Sequence, residues 1–394
     1  MTHLARSNRY PSAPAAATGH LSSKTTLETV AEALDRFRLD DAEATVSIGS
    51  DPQTVLAALN PLGVKNLTLK LRGTRDHTGD GPVIYAHDLA LAAPYYDWKT
   101  VSLTGYAAST DAVSDVLTNG DTTGHNNYVT VATGALGWAA GNWYKGSTGA
   151  YFMSVAGKQP GIVAQLTGGI TACDATGGAG ASHWKIPLPA QASTFDATTK
   201  FILAACVLKP ASGNVLTVGG FAHLSVSNLM LYRGSYVADY TRVTLSRVPA
   251  YAPSPVFDVA SHATLETAGP IYVTNANTAS TAGLQVNRCA GASIGHGSYF
   301  ANNAYHVLAG SSYDNPWSGR LEINDVTFDT ASGAAVKSLG IGTVAMSNYV
   351  FQGSGNYRLC YAYGGRIHYQ IATGTAPSPI DGTTQVAGGV IYGY

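Results

Sequence analysis

Apolar and polar residues alternate with a period of two along much of the chain. The segments "ATVSIG" (44–49), "NLTLKLRG" (66–73) and "KTVSLTGY" (99–106) follow this pattern and end at or beside a glycine. Because successive side chains of a strand point to opposite faces, the pattern predicts strands with one buried face. The segment "TTLETVAEALDRFR" instead has apolar residues at helical spacing and a Thr25/Glu28 capping box, which predict a helix within 23–40.

A strand phrase of a small residue, a polar or charged residue and an aliphatic residue recurs in the C-terminal half. It occurs as "HATLETA", "GASIGHG", "GRLEIND", "GTVAMSN" and "GRIHYQI". With the small residues as markers, subtraction gives separations of 29, 27, 23 and 23 between Ala263, Ala292, Gly319, Gly342 and Gly365. Repeats of this length with strand chemistry predict a solenoid of stacked coils. In the last unit, alternation places Ile367, in the slot of Val344, on the buried face and His368 on the outer face.

The pattern divides the chain into six segments. We predict an extended arm over 1–22, the helix over 23–40, first coils over 41–124, an inserted β-rich domain over 125–213, the main solenoid over 214–372 and a final strand segment over 373–394. The insertion is inferred from its long glycine-rich loops, such as "LTGGITACDATGGAGAS", around short strand patterns.

Composition argues against several classes of function. Only 12% of residues are charged, against about 25% in typical proteins, and the formal net charge is −1. Without a run of Lys or Arg, the chain lacks the electrostatic basis for binding nucleic acid. It has no apolar signal segment and no stretch near the ~18 apolar residues of a span, so we expect a protein made in a cytoplasm without membrane insertion. Four scattered cysteines without CxxC spacing predict no metal site and no disulfide framework, and no cofactor motif occurs.

The arm, the helix "TLETVAEALDRFR", the opening strands and the later coils together resemble the right-handed β-helix spike proteins of tailed bacteriophages and of phage-like gene transfer agents. The resemblance covers more than half of the chain and is architectural. It implies an all-β fold: a right-handed parallel β-helix (solenoid) with an N-terminal capping helix and an inserted small β-domain. It also implies a tail spike, head spike or tail fibre on the virion, usually a homotrimer. Such a spike attaches to other virion proteins by its N-terminal arm and faces bacterial surface glycan as a receptor.

A spike of this kind has three candidate functions. It can bind polysaccharide, which we expect here, cleave it, or serve only as a structural head or baseplate decoration. Cleavage by hydrolysis needs two carboxylates a fixed distance apart. The candidate catalytic residues are Glu322, Asp325 and Asp329 in "LEINDVTFD". The alternative is that these are solvated outer positions, with Asn324 and Asp325 forming a bend.

An insertion between two coils supplies the candidate ligand-binding residues. Val307 and Gly319 are 12 positions apart, whereas Val336 to Gly342 and Leu359 to Gly365 span 6 each, so six extra residues project from the wall by subtraction. The candidates in and beside this loop are Tyr305, His306, Tyr313, Asp314, Asn315 and Trp317. Aromatic rings can stack on the apolar face of a sugar, and carboxylate and amide groups can bond its hydroxyls. Packing between subunits is the alternative for the loop, and a structural hydrogen bond is the alternative for His306.

Overall fold

The computed structural model describes most of the chain from residue 150 onward and shorter stretches before it. The described ranges are 4–6, 41–46, 50–59, 66–72, 83–91, 100–107, 110–111, 117–118, 124–133, 150–275, 281–310, 318–353, 358–370, 384–386 and 389–393. The predicted capping helix over 23–40 lies outside these ranges. So does most of the predicted arm, of which Leu4–Arg6 forms a strand.

The described residues form one helix, α1 (Pro52–Leu59), and 33 strands. In chain order the strands are β1 (Leu4–Arg6), β2 (Asp41–Val46), β3 (Asn66–Arg72), β4 (Val83–Tyr85), β5 (Leu89–Leu91), β6 (Thr100–Ala107), β7 (Thr110–Asp111), β8 (Leu117–Thr118), β9 (Tyr128–Ala132), β10 (Tyr151–Ala156), β11 (Val163–Gln165), β12 (Thr171–Cys173), β13 (His183–Pro187), β14 (Lys200–Ala204), β15 (Cys206–Leu208), β16 (Leu216–Val218), β17 (His223–Ser227), β18 (Met230–Tyr232), β19 (Ser235–Val237), β20 (Arg242–Ser246), β21 (Val248–Tyr251), β22 (Phe257–Val259), β23 (Thr264–Thr267), β24 (Ile271–Thr274), β25 (Ala282–Val286), β26 (Ala290–Ile294), β27 (Ser298–Ala309), β28 (Gly319–Leu339), β29 (Thr343–Gln352), β30 (Arg358–Tyr363), β31 (Arg366–Tyr369), β32 (Thr384–Val386) and β33 (Val390–Gly393).

Three parallel ladders form the walls of a parallel β-helix, as the repeat predicts. Face A contains β2, β3, β6, β17, β20, β23, β26, β28, β29, β31 and β33 in that order. Face B contains β4, β15, β18, β21, β24 and parts of β27, β28 and β29. Face C contains β5, β16, β19, β22, β25, the remaining parts of β27 and β28, β30 and β32. At one end of face A, β1 pairs antiparallel with β2.

The interior of the coils is filled by residues in register from coil to coil. On face A the buried column is Leu67, Val101, Leu224, Val243, Leu265, Ala292, Leu321, Val344 and Ile367. The predicted slots are confirmed, because Ile367 lies beside Val344 and His368 beside Ala345. No coil can bury its own apolar side chains, so stacking supplies the core.

The register corrects two of the predicted alignments. Thr264 pairs with Gly291, so Ala263 aligns with Ala290 and not with Ala292. By subtraction, Ala263 and Ala290 are therefore 27 positions apart, and Ala290 and Gly319 are 29 apart. The two later separations of 23 are unchanged. On face C, the equal spans to Gly342 and Gly365 align Val336 with Leu359, but Val336 pairs with Cys360. Both errors have one cause: several small or aliphatic residues stand next to one another, and only backbone pairing selects among them.

The glycine markers have a steric origin. A Cβ atom at Gly342 would overlap the carbonyl oxygen of Ala309 on the preceding coil. A Cβ atom at Gly319 would likewise overlap the carbonyl oxygen of Val286. The chain turns from face C into face A at these positions with its backbones in close contact, and only glycine fits.

The inserted domain is built from two small antiparallel sheets. One contains β11, β10, β14 and β8, and the other contains β12, β13 and β9. The insertion therefore starts by β8, before the predicted residue 125. It ends by Ala204, before 213, because β15 already pairs with β4 of face B.

The inserted domain covers the outer side of face B. Outward residues of this face, including Val207, Met230 and Tyr272, pack against Met153 and Ile202 of the inserted sheet in an apolar cluster separate from the main core. The insertion is thus fixed against the wall by a hydrophobic interface, which we call the seam. Within the described part of the chain, no helix is long and apolar enough to span a membrane.

Candidate functional site

Glu322 lies on the outer side of face A. It is in register with Ser293 and Ala345, and its Oε1 is 2.6 Å from Nη2 of Arg320, two residues earlier on the same strand. Both side chains are exposed, at 50% for Glu322 and 76% for Arg320. An exposed pair of this kind contributes at most about 1 kcal/mol to stability, and it leaves Glu322 on an open, flat wall.

Asp325 forms the corner between faces A and B. Its φ is 62°, in the left-handed region that a non-glycine residue adopts only at turns, and the aligned corners at His296 and Asn348 share this conformation. Asp and Asn are the residues that tolerate it best. The position of Asp325 fits the bend that was the alternative to a catalytic role.

Asp329 is buried where the inserted domain meets face B. Only 1% of the residue is exposed, and its Oδ2 accepts a hydrogen bond of 2.9 Å from the backbone N–H of Gly157 in the inserted domain. Its Oδ1 accepts a second hydrogen bond from the Thr330 hydroxyl. Burial raises the pKa of this carboxyl above its ordinary value, against the opposing effect of these hydrogen bonds and of the Lys200 charge. Asp329 therefore links the inserted domain to face B of the β-helix and is not accessible to a glycan.

The buried Asp329 predicts a pH dependence of stability. Its pKa in the folded state lies above its unfolded value, so folding takes up a proton between the two values. The stabilisation is present below the unfolded pKa and is lost as pH rises through the folded pKa. We expect the unfolding midpoint of the wild type, minus that of Asp329→Asn, to fall as the pH rises from below 3.8, the ordinary pKa of an aspartate, through the raised pKa of the folded state. A difference that stays constant, or rises, would contradict the assignment.

His306 lies inside the β-helix and not on its outer flank. Its exposure is 0%, its ring stacks on Phe328 with centroids 5.4 Å apart, and Nδ1 lies 2.9 Å from Nδ2 of Asn303. Burial lowers the pKa of His306 to about 3, so the imidazole is neutral at physiological pH. The predicted contact with a ligand is corrected here, and the structural hydrogen bond that was its alternative describes the residue.

Tyr305 lies at the surface of face C and is the described member of the predicted ligand group that remains accessible. Lys337, on the next coil, holds its Nζ 4.1 Å from the centre of the Tyr305 ring and 5.5 Å from that of Tyr361, one coil further on. All three residues are partly exposed. Because neighbouring strands are about 4.8 Å apart, they present two rings and one cation over roughly 10 Å of wall. We call Tyr305, Lys337 and Tyr361 the outer-flank site.

The residues of the predicted projecting loop follow, in sequence, the strand that carries Tyr305. Gly310 directly follows that strand, and Ser318 precedes the next coil. Between them lie Tyr313, Asp314, Asn315 and Trp317, which fall outside the described residues. The Ala309–Ser338 pairing supports the six extra residues: nine positions separate Gly310 from Gly319, and three separate Leu339 from Gly342.

Sequence patterns missed Lys337 and Tyr361. The two residues pair directly across β28 and β30, 24 positions apart by subtraction. The sequence pattern aligned Val336 with Leu359, one residue before its true partner Cys360, and therefore did not place Lys337 beside Tyr361. Among the residues that the structure describes, no group of three or more His, Cys, Asp or Glu side chains is placed to hold a metal ion.

Comparisons with known proteins give structural neighbours only. No family model and no curated protein sequence matches the chain. One similar solved structure is a glycoside hydrolase, with 8% identity, a TM-score of 0.32 and coverage of 86% of this chain and 91% of that one. Another is the tailspike protein gp49 from Pseudomonas phage LKA1, with 11% identity, a TM-score of 0.19 and coverage of 81% of this chain and 64% of that one. Neither likeness is close enough to transfer a function, so the function must be argued from the residues of this chain.

Proposed function

We propose that the protein is a virion spike or fibre component that binds bacterial surface polysaccharide through the outer-flank site and the adjoining loop. The observation that carries the proposal is the arrangement of Tyr305, Lys337 and Tyr361 on three successive coils. Aromatic rings at a surface offer flat apolar area at a low entropic cost, and a pyranose ring has a matching apolar face. The other strands of face C continue the same outer surface, along which a polymer chain can lie.

The placement of the carboxylates favours binding over cleavage. Glycosidic hydrolysis uses two carboxyl groups that face each other across the scissile bond. Glu322 is paired with Arg320 on an open wall, Asp325 forms a corner, and Asp329 is enclosed at the seam. These three residues therefore do not share a cleft.

Removing both tyrosine rings should weaken polysaccharide binding. For Tyr305→Ala combined with Tyr361→Ala we expect the dissociation constant for a bound bacterial surface polysaccharide to rise by about tenfold or more. The matched control is Tyr240→Ala, which removes a 57% exposed ring from a turn remote in sequence from these coils. Affinity is measured by co-sedimentation, with circular dichroism to verify folding. Equal affinities for the wild type and the double variant would contradict the proposed site.

Attachment to the particle is the second part of the proposal and concerns the N-terminal arm. Deleting residues 1–22 removes β1, a short edge strand that pairs only with β2 among the described strands. We expect the shortened protein to fold and to bind polysaccharide, and to be missing from assembled particles when these are probed by immunoblot. Normal incorporation into particles would refute this part.

A further inference from the structure

The charge at the outer-flank site points to the chemical class of its ligand. Lys337 is a basic residue, and among the described residues no carboxylate forms an ion pair with it. Two arginines of the neighbouring face A differ in this respect, since Arg242 pairs with Glu266 and Arg320 pairs with Glu322. Within the described part of the chain, this cation is therefore without a carboxylate partner, and it lies where the proposed ligand binds.

The two tyrosine rings hold the ammonium group of Lys337 in place. Its Nζ is within cation–π distance of both, at 4.1 Å from the Tyr305 centroid and 5.5 Å from the Tyr361 centroid. A lysine held in this way loses less side-chain entropy when it forms an ion pair than a freely rotating one. Ring faces occupy part of its surroundings but accept no conventional hydrogen bond, so its N–H groups remain able to donate to an anion.

We propose that the outer-flank site binds an anionic glycan, in which a carboxylate or phosphate on the sugar pairs with Lys337 while the sugar rings contact Tyr305 and Tyr361. The inference rests on the proposed polysaccharide binding and adds its charge. A neutral glycan would bury the ammonium group without a partner for its charge, which costs free energy. An anionic one supplies both the charge partner and the apolar face.

The predicted negative charge of the ligand is tested first, by removing anionic groups from the glycan. Surface polysaccharides purified from a panel of candidate host bacteria are assayed for binding to the full-length protein. Each polymer that binds is then divided in two: one half is carboxyl-reduced, which converts uronic acids to neutral sugars, and the other is treated with hydrofluoric acid, which removes phosphate. We expect one of the two treatments to weaken binding by about tenfold, and which one does so identifies the anion. Binding that survives both treatments, or binding only of neutral polymers, would overturn the inference while the proposed function stands.

The charge is tested on the protein with matched variants. Lys337→Met removes the charge and keeps an apolar stem of similar length, and we expect it to weaken binding of the untreated polymer by about tenfold. Lys337→Arg keeps the charge and should retain most of the affinity. The control is Lys185→Met, because Lys185 also lies 4.1 Å from a tyrosine ring, that of Tyr128, but belongs to the inserted domain.

The outcomes separate the inference from the function it rests on. If no polymer of the panel binds the wild type, the proposed function fails first. If polymers bind and Lys337→Met binds like the wild type, the charge assignment is wrong and the polysaccharide function is unaffected. Light scattering measures the mass of the assembly in solution. If that mass differs between Lys337→Met and the wild type while glycan binding is unchanged, Lys337 pairs with another protein chain instead.

Discussion

Replacing Phe328 by alanine is expected to destabilise the protein by about 4 kcal/mol, the largest effect of any single substitution considered. Phe328 is 1% exposed and lies in the middle of an aromatic column inside the β-helix. Its ring centroid is 5.7 Å from that of Phe300, 5.4 Å from that of His306 and 5.4 Å from that of Phe351. Truncation removes the buried ring and leaves a cavity between coils that cannot collapse, because backbone pairing fixes their spacing.

The control for this variant is on the adjacent strand. Val350 pairs with Thr327, the neighbour of Phe328, but points outward and is 50% exposed. Val350→Ala should change stability by no more than about 0.5 kcal/mol. Both variants are compared with the wild type by denaturant unfolding followed by circular dichroism. A similar midpoint for Phe328→Ala and Val350→Ala would mean that the aromatic column is not inside the coils.

Replacing Gly342 by alanine is expected to cost about 3 kcal/mol, although it adds only one methyl group. The new Cβ atom would overlap the carbonyl oxygen of Ala309, and its three nearest atoms are all backbone atoms of Ala309 and Gly310, so no flexible side chain can move away. Relief of the overlap requires the two coils to separate, which weakens their ladder. Because each coil contacts only its neighbours, the loosening should be local, and limited proteolysis should cut first near residue 342.

Gly291 provides the matched substitution. It lies on the same face, and the nearest atom to an added Cβ there is the Arg320 carbonyl oxygen at 3.9 Å, an ordinary contact. Gly291→Ala should therefore be tolerated within about 0.5 kcal/mol, in the same unfolding assay. Equal sensitivity at the two glycines would argue against the close approach of backbones at the turn into face A.

The period of two and the recurring phrase were sufficient to predict the parallel β-helix. They worked because a stacked coil repeats the same burial at the same position, as Leu321, Val344 and Ile367 show. The exact register was harder to predict, since "AGA" at 290–292 offers three small residues and the sequence does not say which one occupies the turn. The steric reason appears only when the neighbouring backbone is in place.

The candidate site was predicted less well than the fold, for reasons of tertiary contact. Alternation puts Asp329 on an outer face, which is correct for the strand, but the inserted domain then covers that face. His306 belongs to a stretch where the chain turns a corner, so strict alternation does not place it. Lys337 looks like any lysine on an outer wall until the coils are aligned and two rings of neighbouring coils meet it.

Polysaccharide binding without cleavage is tested by following purified surface polysaccharide from candidate host bacteria by size-exclusion chromatography, before and after incubation with the full-length protein. We expect chains of unchanged length that co-elute with the protein, and loss of co-elution for the Tyr305→Ala, Tyr361→Ala double variant. Shortened chains would contradict a binding spike and establish a depolymerase, and failure of any polymer from a broad panel to co-elute would contradict polysaccharide binding itself.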